Sequence, residues 1–318
     1  MPDDRAPERR VATRVEDLVG RTPMVRLSYP DVPADTRLLA KLEMFNPMSS
    51  VKDRPALYML LEAERTGLLD PAGGTVVEYS SGNMGIALAG LCASRGHRYV
   101  LVMPDNATVE RLGIARAFGA EIVQTPYQEG LPGTIARAEA VTASIPGAWL
   151  VNQAFNPVNT VAHYESTGPE VWEATGGAVD ALVCTVGTGG TLTGIAHYLK
   201  ERREVHVVAV EPATSPVLSG GEHSPHRIPG IGPGFVAEVT DVACIDEIIT
   251  VSDEDAGLST KELAATAGVF AGVSAGAAAY AARAVARRPE FAGRTVVTVF
   301  PDTGERYLSM WESLGESA

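Results

Sequence analysis

The sequence predicts an α/β protein whose sheets are mainly parallel. Strand patterns and helix patterns alternate along nearly the whole chain, which is typical of βαβ units. Glycine-rich loops follow several of the predicted strands directly and lead into predicted helices. The 318 residues exceed what one typical core can hold, so we expect one large or two medium α/β domains.

The composition is that of an ordinary globular protein and excludes several classes of partner. Hydrophobic residues make up 45% of the chain, and the formal net charge of −13 argues against nucleic acid or anionic membranes as partners. Cys92, Cys184 and Cys244 are too widely spaced for a zinc site or a disulfide framework. The polar N-terminus carries no apolar signal region, and no apolar run could span a membrane. A cytoplasmic protein without a metal is therefore expected.

The first half of the chain contains six predicted strands and four predicted helices. Residues 1–13 are charged and are expected to form a loosely held arm. The predicted strands are residues 24–27, 37–42, 75–78, 99–103, 121–125 and 149–153, and the helices are residues 53–66, 86–94, 109–118 and 134–144. A domain boundary is expected near residues 152–157.

The second half repeats the same alternation of strands and helices. The predicted strands are residues 181–186, 205–210, 248–251 and 295–300, and the helices are residues 192–200, 254–266 and 275–286. Residues 212–235 are rich in glycine and proline and contain no regular pattern. A segment of that length without secondary structure is more typical of a functional loop than of a simple connection.

Lys52 occupies an unusual position at the start of a predicted helix. Pro55 suits the first turn of a helix, so the regular helix should begin near residue 53. The positive end of the helix dipole disfavours an ammonium group there and lowers the pKa of the lysine. A neutral lysine can act as a nucleophile. The alternative is a solvated surface lysine without a function.

Residues 187–191 (GTGGT) form a glycine loop between a strand and a helix, which suits a phosphate group. A dinucleotide site would need a third glycine where Leu192 stands, although Glu211 lies at about the distance of its acidic residue. A P-loop would need a lysine after the last glycine, and none is present. A single phosphate monoester fits best, with a plain tight turn as the alternative.

Two further loops open helices with hydroxyl side chains. Residues 80–85 (SSGNMG) offer hydroxyls, an amide and a helix N-terminus, which suit a carboxylate ligand. Ser80 or Ser81 could instead be a simple N-cap. Ser274, within residues 272–276 (GVSAG), is open to the same two interpretations.

Six stretches together resemble the cysteine synthase family, the β-replacement branch of fold-type-II pyridoxal-phosphate enzymes. They occur in the family's order over nearly the whole chain: NPMSSVKDRP (46–55), SSGNMGIALA (80–89), GTGGTLTG (187–194), GIGPGF (230–235), GVSAGA (272–277) and PDTGERYL (301–308). The resemblance implies two three-layer α/β domains like those of the tryptophan synthase β-subunit, with pyridoxal phosphate in the cleft between them. The smaller domain would comprise residues 41–155, and the larger one residues 14–40 and 156–318.

The resemblance also implies roles for individual residues. Lys52 would hold the cofactor through a Schiff base and later remove the α-proton. The residues implied to bind the cofactor are Asn83, Gly187, Thr188, Gly189, Gly190, Thr191 and Ser274. The residues implied to bind the substrate are Ser80, Ser81, Gly82, Met84, Gln153, Gly230, Ile231 and Gly232. The family is usually a homodimer, and we expect no regulatory or haem-binding extension.

The implied reaction is β-replacement on O-acetyl-L-serine through an α-aminoacrylate, with sulfide giving cysteine and acetate. Most family members have threonine where this chain has Met84, so another nucleophile, such as an amine, is a rival interpretation. O-phosphoserine is a further possible donor, because Arg227 lies near the loop that would recognise it. From other classes, an NAD-dependent enzyme and a non-catalytic paralogue are the alternatives, and the lysine and the phosphate loop speak against both.

Overall fold

The computed structural model describes residues 11–316. The predicted N-terminal arm therefore lies mostly outside the described residues. Within residues 11–316, ten strands form two separate sheets. Their bounds are β1 (Met24–Leu27), β2 (Arg37–Leu42), β3 (Thr75–Tyr79), β4 (Arg98–Pro104), β5 (Glu121–Thr125), β6 (Trp149–Leu150), β7 (Ala181–Thr185), β8 (His206–Pro212), β9 (Glu247–Val251) and β10 (Thr295–Phe300).

Both sheets are mainly parallel, as predicted. The larger sheet has the order β1-β2-β10-β7-β8-β9, and only its edge strand β1 is antiparallel to its neighbour. The smaller sheet has the order β5-β4-β3-β6 and is parallel throughout. The predicted α/β class with two sheets is therefore confirmed.

Nine α-helices accompany these strands in the part of the chain that the structure describes. They are α1 (Asp53–Thr66), α2 (Asn83–Arg95), α3 (Val109–Ala117), α4 (Gly130–Ser144), α5 (Val158–Ala162), α6 (Gly168–Thr175), α7 (Gly190–Lys200), α8 (Asp253–Ala267) and α9 (Val273–Ala286). Residues 213–235 contain no helix or strand, so the segment predicted from residue 212 is irregular except for Pro212, the last residue of β8. None of the described helices combines the length and apolar character that a membrane span requires.

The sequence prediction was wrong between residues 149 and 175. The strand predicted for residues 149–153 ends at Leu150, because Asn152 adopts a left-handed conformation with φ of 54° and turns the chain away. Helices α5 and α6 and the π-helical turn His163–Thr167 between them were not predicted. Gly168-Pro169 resembles a loop in sequence, but proline fits the first turn of α6.

Each sheet buries side chains on both faces, which gives three layers. In β2, Leu38 and Ala40 pack with α9 on one face, while Leu39 packs with α7 on the other. In β3, Val76 joins the core that contains α1 and α2, and Val77 joins the opposite core with α4. Alternate residues of a strand point to opposite faces, so strands covered on both sides have nearly continuous apolar runs, which only single buried polar residues such as Lys41 and Glu78 interrupt.

A buried ionic cluster fixes the start of α1 next to Lys52. Arg54 is 1% exposed, and its guanidinium contacts Glu43 at 2.7 Å and Glu170 at 2.7 Å. Lys41 contacts the same Glu170 carboxylate at 2.7 Å. Glu170 belongs to the unpredicted helix α6, so this helix links β2, through Lys41, to the start of α1, through Arg54.

Candidate active site

The loops that follow the parallel strands line a cleft of about 330 Å³. Such a size lies at the small end of the range for ligand pockets. The sequence-predicted residues that line it are Lys52, Ser80, Ser81, Gly82, Asn83, Met84, Gln153, Gly187, Thr188, Gly189, Thr191, Gly230, Ile231 and Ser274. Gly190 and Gly232 do not line it. Gly190 begins α7, and the Gly232 N–H donates to the Val186 carbonyl at 3.0 Å.

Lys52 is the N-cap residue of α1, as the sequence predicted, and its amine lies in the cleft. Its Nζ atom is 3.4 Å from the Thr188 hydroxyl of the glycine loop. Burial removes the ammonium from water and lowers the lysine pKa to about 8, although the Glu78 carboxylate acts in the opposite direction. Burial is therefore the chief cause of the lowered pKa, whereas the sequence argument relied on the helix dipole.

Glu78 is a buried acid beside the cleft that the sequence argument missed. Burial raises its pKa to about 8, against hydrogen bonds from Asn152 and Gln153 and the charge of Lys52. Its Oε2 atom accepts a hydrogen bond of 2.8 Å from the Asn152 N–H, while Oε1 has no partner among the described residues. Glu78 thereby holds the turn that presents Gln153 to the cleft.

The glycine loop forms a cradle that has no room for larger residues. A Cβ atom on Gly187 would lie 2.4 Å from the Gly230 carbonyl oxygen, and one on Gly190 would lie 2.3 Å from Asn159 Oδ1. Helix α7 starts at Gly190, so its first N–H groups are available to an anion. Asn159, another residue missed from sequence, donates to the Thr188 hydroxyl at 3.1 Å and to the Gln153 carbonyl at 2.9 Å.

His163 braces the glycine loop from behind. Its side chain is fully buried, and Nε2 lies 3.2 Å from the Thr191 hydroxyl while Nδ1 lies 2.8 Å from the Thr167 hydroxyl. Burial, with Arg54 and Lys52 as nearby cations, holds the pKa of His163 well below its usual value, so the ring is neutral. It sits in the π-helical turn, a feature often found at functional sites.

The loop at residues 80–84 begins α2, but neither serine is its N-cap. Gly82 occupies that position, and its N–H donates to the Ser80 hydroxyl at 3.1 Å. The Asn83 amide donates to Asp302 Oδ2 at 2.8 Å and accepts a hydrogen bond from Arg306. Met84 is 1% exposed and packs into the core of the smaller sheet, yet it also borders the cleft.

The remaining predicted residues lie around the same cleft. Ser274 is in the first turn of α9, whose N-cap is Gly272, so the N-cap interpretation of this serine was wrong. Arg227 does not line the cleft, because its guanidinium donates to the Ser313 hydroxyl at 2.7 Å. Arg111 from α3, which the sequence argument did not single out, does line it.

One group of potential metal ligands lies outside the cleft. The ligand atoms of His197, Asp241 and Cys244 are within 4.8 Å of one another, an arrangement that the sequence did not indicate. His197 Nε2 contacts Asp241 at 2.7 Å, and burial raises the pKa of the Cys244 thiol to about 11. The geometry is that of a histidine hydrogen-bonded to a carboxylate beside a protonated thiol.

The donor set of the cleft fits pyridoxal phosphate. Lys52 offers an amine with a lowered pKa to the aldehyde, and Thr188 and Thr191 offer hydroxyls beside a helix N-terminus to the phosphate. Gly187 and Gly190 pack against Gly230 and Asn159 too closely for a Cβ atom, and this packing fixes the shape of the loop. These groups come from separate parts of the chain and meet in one cleft.

Comparisons with known proteins agree with this geometry. Residues 15–302 match the family model described as pyridoxal-phosphate dependent enzyme. A probable cysteine synthase of Bacillus subtilis (strain 168) is 44% identical over 304 residues, covering 94% of this chain and 97% of that protein. The crystal structure of a cysteine synthase from Entamoeba histolytica superposes with a TM-score of 0.93 at 39% identity, covering 98% of this chain and 94% of that one.

A second solved structure is similar to the same extent. The crystal structure of O-ureido-L-serine synthase has a TM-score of 0.91 at 42% identity, covering 97% of this chain and 98% of that one. Each similarity therefore extends over both sheets and the cleft. The two solved structures are described as different enzymes, a cysteine synthase and an O-ureido-L-serine synthase.

Proposed function

The chain belongs to the cysteine synthase family of pyridoxal-phosphate-dependent enzymes, and we propose that it converts O-acetyl-L-serine and sulfide to L-cysteine and acetate. It is an enzyme of the β-replacement type, and its cofactor is pyridoxal phosphate. The observation that carries the proposal is the meeting of Lys52 with the glycine loop and the 80–84 loop in one cleft.

When bound, pyridoxal phosphate supplies an electron sink that weakens the bonds at Cα of an amino acid. The protein supplies the groups around it. Lys52 has a pKa of about 8, so its Nζ atom is partly neutral near neutral pH and can accept the Cα proton. We assign binding of the cofactor's phosphate to residues 187–191. Asn83 would hydrogen-bond the oxygen on the cofactor's ring, and Ser274 would face the pyridine nitrogen.

The substrate carboxylate is assigned to the 80–84 loop and Gln153. The loop offers the Ser80 and Ser81 hydroxyls together with the N-terminus of α2, and Gln153 directly follows Asn152, whose N–H donates to Glu78. We assign residues 230–232 to the mouth of the site. Gly230 and Ile231 border the cleft, which supports that assignment.

O-acetylserine is favoured over O-phosphoserine as the donor. Arg227, the cation of the 220–232 loop, is held by Ser313 and does not border the cleft, and Arg111, which does border it, donates to the Ser81 carbonyl and the Tyr307 hydroxyl. A neutral acetyl ester needs no cation for recognition, whereas a phosphate ester does. Comparing turnover of the two donors with sulfide tests this choice, and faster use of O-phosphoserine would refute it.

The experiment for the main proposal is product analysis by mass spectrometry. Purified holoenzyme receives O-acetyl-L-serine with sulfide, and in parallel reactions with hydroxyurea or small amines. Cysteine should be the most rapidly formed product. If sulfide is the poorest nucleophile tested, sulfide addition is not the function.

A second candidate function is synthesis of another β-substituted alanine. Met84 borders the cleft where most family members have threonine, and one structural relative is an O-ureido-L-serine synthase. An apolar thioether in place of a hydroxyl removes one hydrogen-bonding group from the site. The product analysis above separates the two functions directly.

We further propose that the smaller domain comprises residues 41–155 and the larger one residues 14–40 and 156–318. The division of the strands into two sheets supports this, because β3 to β6 form one sheet and the other strands form the second. We also infer a cytoplasmic homodimer. The described cysteines are all free thiols, which suits a reducing compartment. Light scattering on the purified protein tests whether it is a dimer.

A further inference from the structure

Arg111 is a buried cation that borders the cleft without forming a direct ion pair among the described residues. Arg111 is 8% exposed, and its Nε atom has no hydrogen-bond partner in residues 11–316. Nη1 donates to the Ser81 carbonyl at 3.3 Å, and Nη2 donates to the Tyr307 hydroxyl at 3.2 Å. Its link to a carboxylate runs through that hydroxyl, which donates to Asp302. The guanidinium carbon also lies 5.2 Å from the centroid of the Tyr307 ring, but a buried cation without a direct counter-ion still gains from an anionic ligand.

The bond from Arg111 to Ser81 is the first in a chain of hydrogen bonds. The Ser81 carbonyl and the Gly82 N–H belong to the same peptide group, and that N–H donates to the Ser80 hydroxyl oxygen at 3.1 Å. The Ser80 hydroxyl proton is donated to no other described atom, and Ser80 borders the cleft. Hydrogen bonds in a chain polarise one another, and a charged donor at one end strengthens the effect. The guanidinium therefore makes the Ser80 hydroxyl a stronger donor toward the cleft.

We propose that Arg111 is a positioning residue for the substrate carboxylate, acting through the Ser81–Gly82 peptide group on the Ser80 hydroxyl. This rests on the proposed function only in assigning the amino-acid carboxylate to the 80–84 loop. Arg111 does not need to touch the ligand. It orients the loop and places a positive charge behind it, and both effects favour a ligand with a carboxylate over one without.

The experiment measures binding of glycine and of glycinamide to the holoenzyme by the change in the visible absorbance of the cofactor. Glycine has no β-carbon, so binding can be read whichever nucleophile the enzyme uses, and failure of sulfide addition would leave this test intact. Arg111→Gln should weaken glycine binding about tenfold, the size of one charge-assisted hydrogen bond, and leave glycinamide binding within about twofold. Arg111→Lys retains the charge but lacks the planar fork, so it should lose about threefold.

A double-mutant cycle with Ser80→Ala tests the chain of hydrogen bonds itself. Without the Ser80 hydroxyl, Arg111→Gln should cost less than about threefold in glycine affinity, because the end of the chain is missing. Arg116→Gln, on the exposed side of the same helix, is the matched control and should change nothing. Thermal unfolding of each variant shows whether it is folded, and Arg111→Lys replaces Arg111→Gln if the latter is not.

Four results would overturn the proposal. Glycine affinity could be unchanged in both Arg111 variants, or glycinamide could be weakened as much as glycine, which would indicate a general loss of loop structure. The effects of Arg111→Gln and Ser80→Ala could be additive, which would make the two residues independent. Finally, Arg111→Gln could weaken only O-phospho-L-serine, which would make Arg111 a reader of the leaving group.

Discussion

Replacing Glu78 with glutamine should lower the pKa of Lys52 further. The Glu78 carboxylate favours the charged form of Lys52, against the burial that favours the neutral amine. Glutamine has the same shape, and its carbonyl oxygen can still accept the hydrogen bond that Asn152 N–H gives to Glu78 Oε2. The substitution therefore removes the charge while keeping the contact that holds the turn.

The size of the effect follows from the two pKa values. Burial, partly opposed by the Glu78 carboxylate, brings the Lys52 pKa from 10.5 to about 8, equivalent to about 3 kcal/mol in favour of the neutral amine. At pH 7 about one lysine in ten is then neutral. A nearby ionised carboxylate raises a lysine pKa by at least about 1, and Glu78, with a pKa of about 8, is ionised mainly above that pH. Glu78→Gln should therefore move the Lys52 pKa from about 8 toward about 7, and the gain in neutral lysine should be clearest near pH 8, where about half of the lysine is neutral before the substitution and about nine-tenths after it.

The assay uses protein freed of its cofactor, because Lys52 is then a free amine. Pyridoxal phosphate is added over a series of pH values, the product is reduced with borohydride, and the modified peptide is quantified by mass spectrometry. The midpoint of the initial rate against pH reports the Lys52 pKa. Glu139→Gln, which removes an exposed carboxylate from α4, is the control and should keep the midpoint near pH 8.

A midpoint that stays near pH 8 in Glu78→Gln would show that the carboxylate does not act on Lys52. A midpoint that rises would show that Glu78 favours the neutral form of Lys52 and not the charged form. If the wild-type midpoint itself lies near 10.5, burial does not control Lys52 and the lysine is an ordinary solvated one.

Three further substitutions have direct expected outcomes. Gly189→Ala should abolish cofactor binding measured by absorbance, because φ is +80° and the new Cβ would lie 2.1 Å from the Thr240 hydroxyl. Burial opposes ionisation of Glu170, but Arg54 and Lys41 outweigh it and hold its pKa at about 2. Glu170→Gln should therefore lower the free energy of unfolding in urea by about 3 kcal/mol at pH 7, and this difference should shrink as pH falls below 4.5 toward 2. Met84→Thr should raise the rate with sulfide relative to amines in the product assay, and an unchanged ratio would assign Met84 to packing alone.

Sequence reasoning located the elements with strong local signals and missed those defined by tertiary contacts. Strands β1, β2, β5 and β10 have the predicted bounds, because apolar runs between glycine, proline and charged residues mark buried strands clearly. Helices α5 and α6 contain threonine, glycine and proline, whose local preferences are weak for helix. Packing against α1 and α7 stabilises them, and that information is not local.

The same distinction applies to the cleft. Its glycine loops were found because a tight turn after a strand has a sequence pattern. Glu78, Asn159 and His163 were missed, since each is a single polar residue in an apolar or helical stretch, and only the fold shows that it supports a loop of the cleft. Their burial is the signal that identifies them, because buried polar side chains require partners.

The distribution of charge around Lys52 explains where ligands bind. Arg54 is completely buried, and it has two carboxylate partners, Glu43 and Glu170, so its role is to fix the start of α1. Lys52 and Arg111 border the cleft, and neither forms a direct ion pair within residues 11–316. Pairing a buried cation holds it in place, whereas a cation without a direct ion pair gains from an anion that enters the cleft. The chain therefore pairs Arg54, which supports the site, and leaves Lys52 and Arg111, which border the cleft, without a direct ion pair among the described residues.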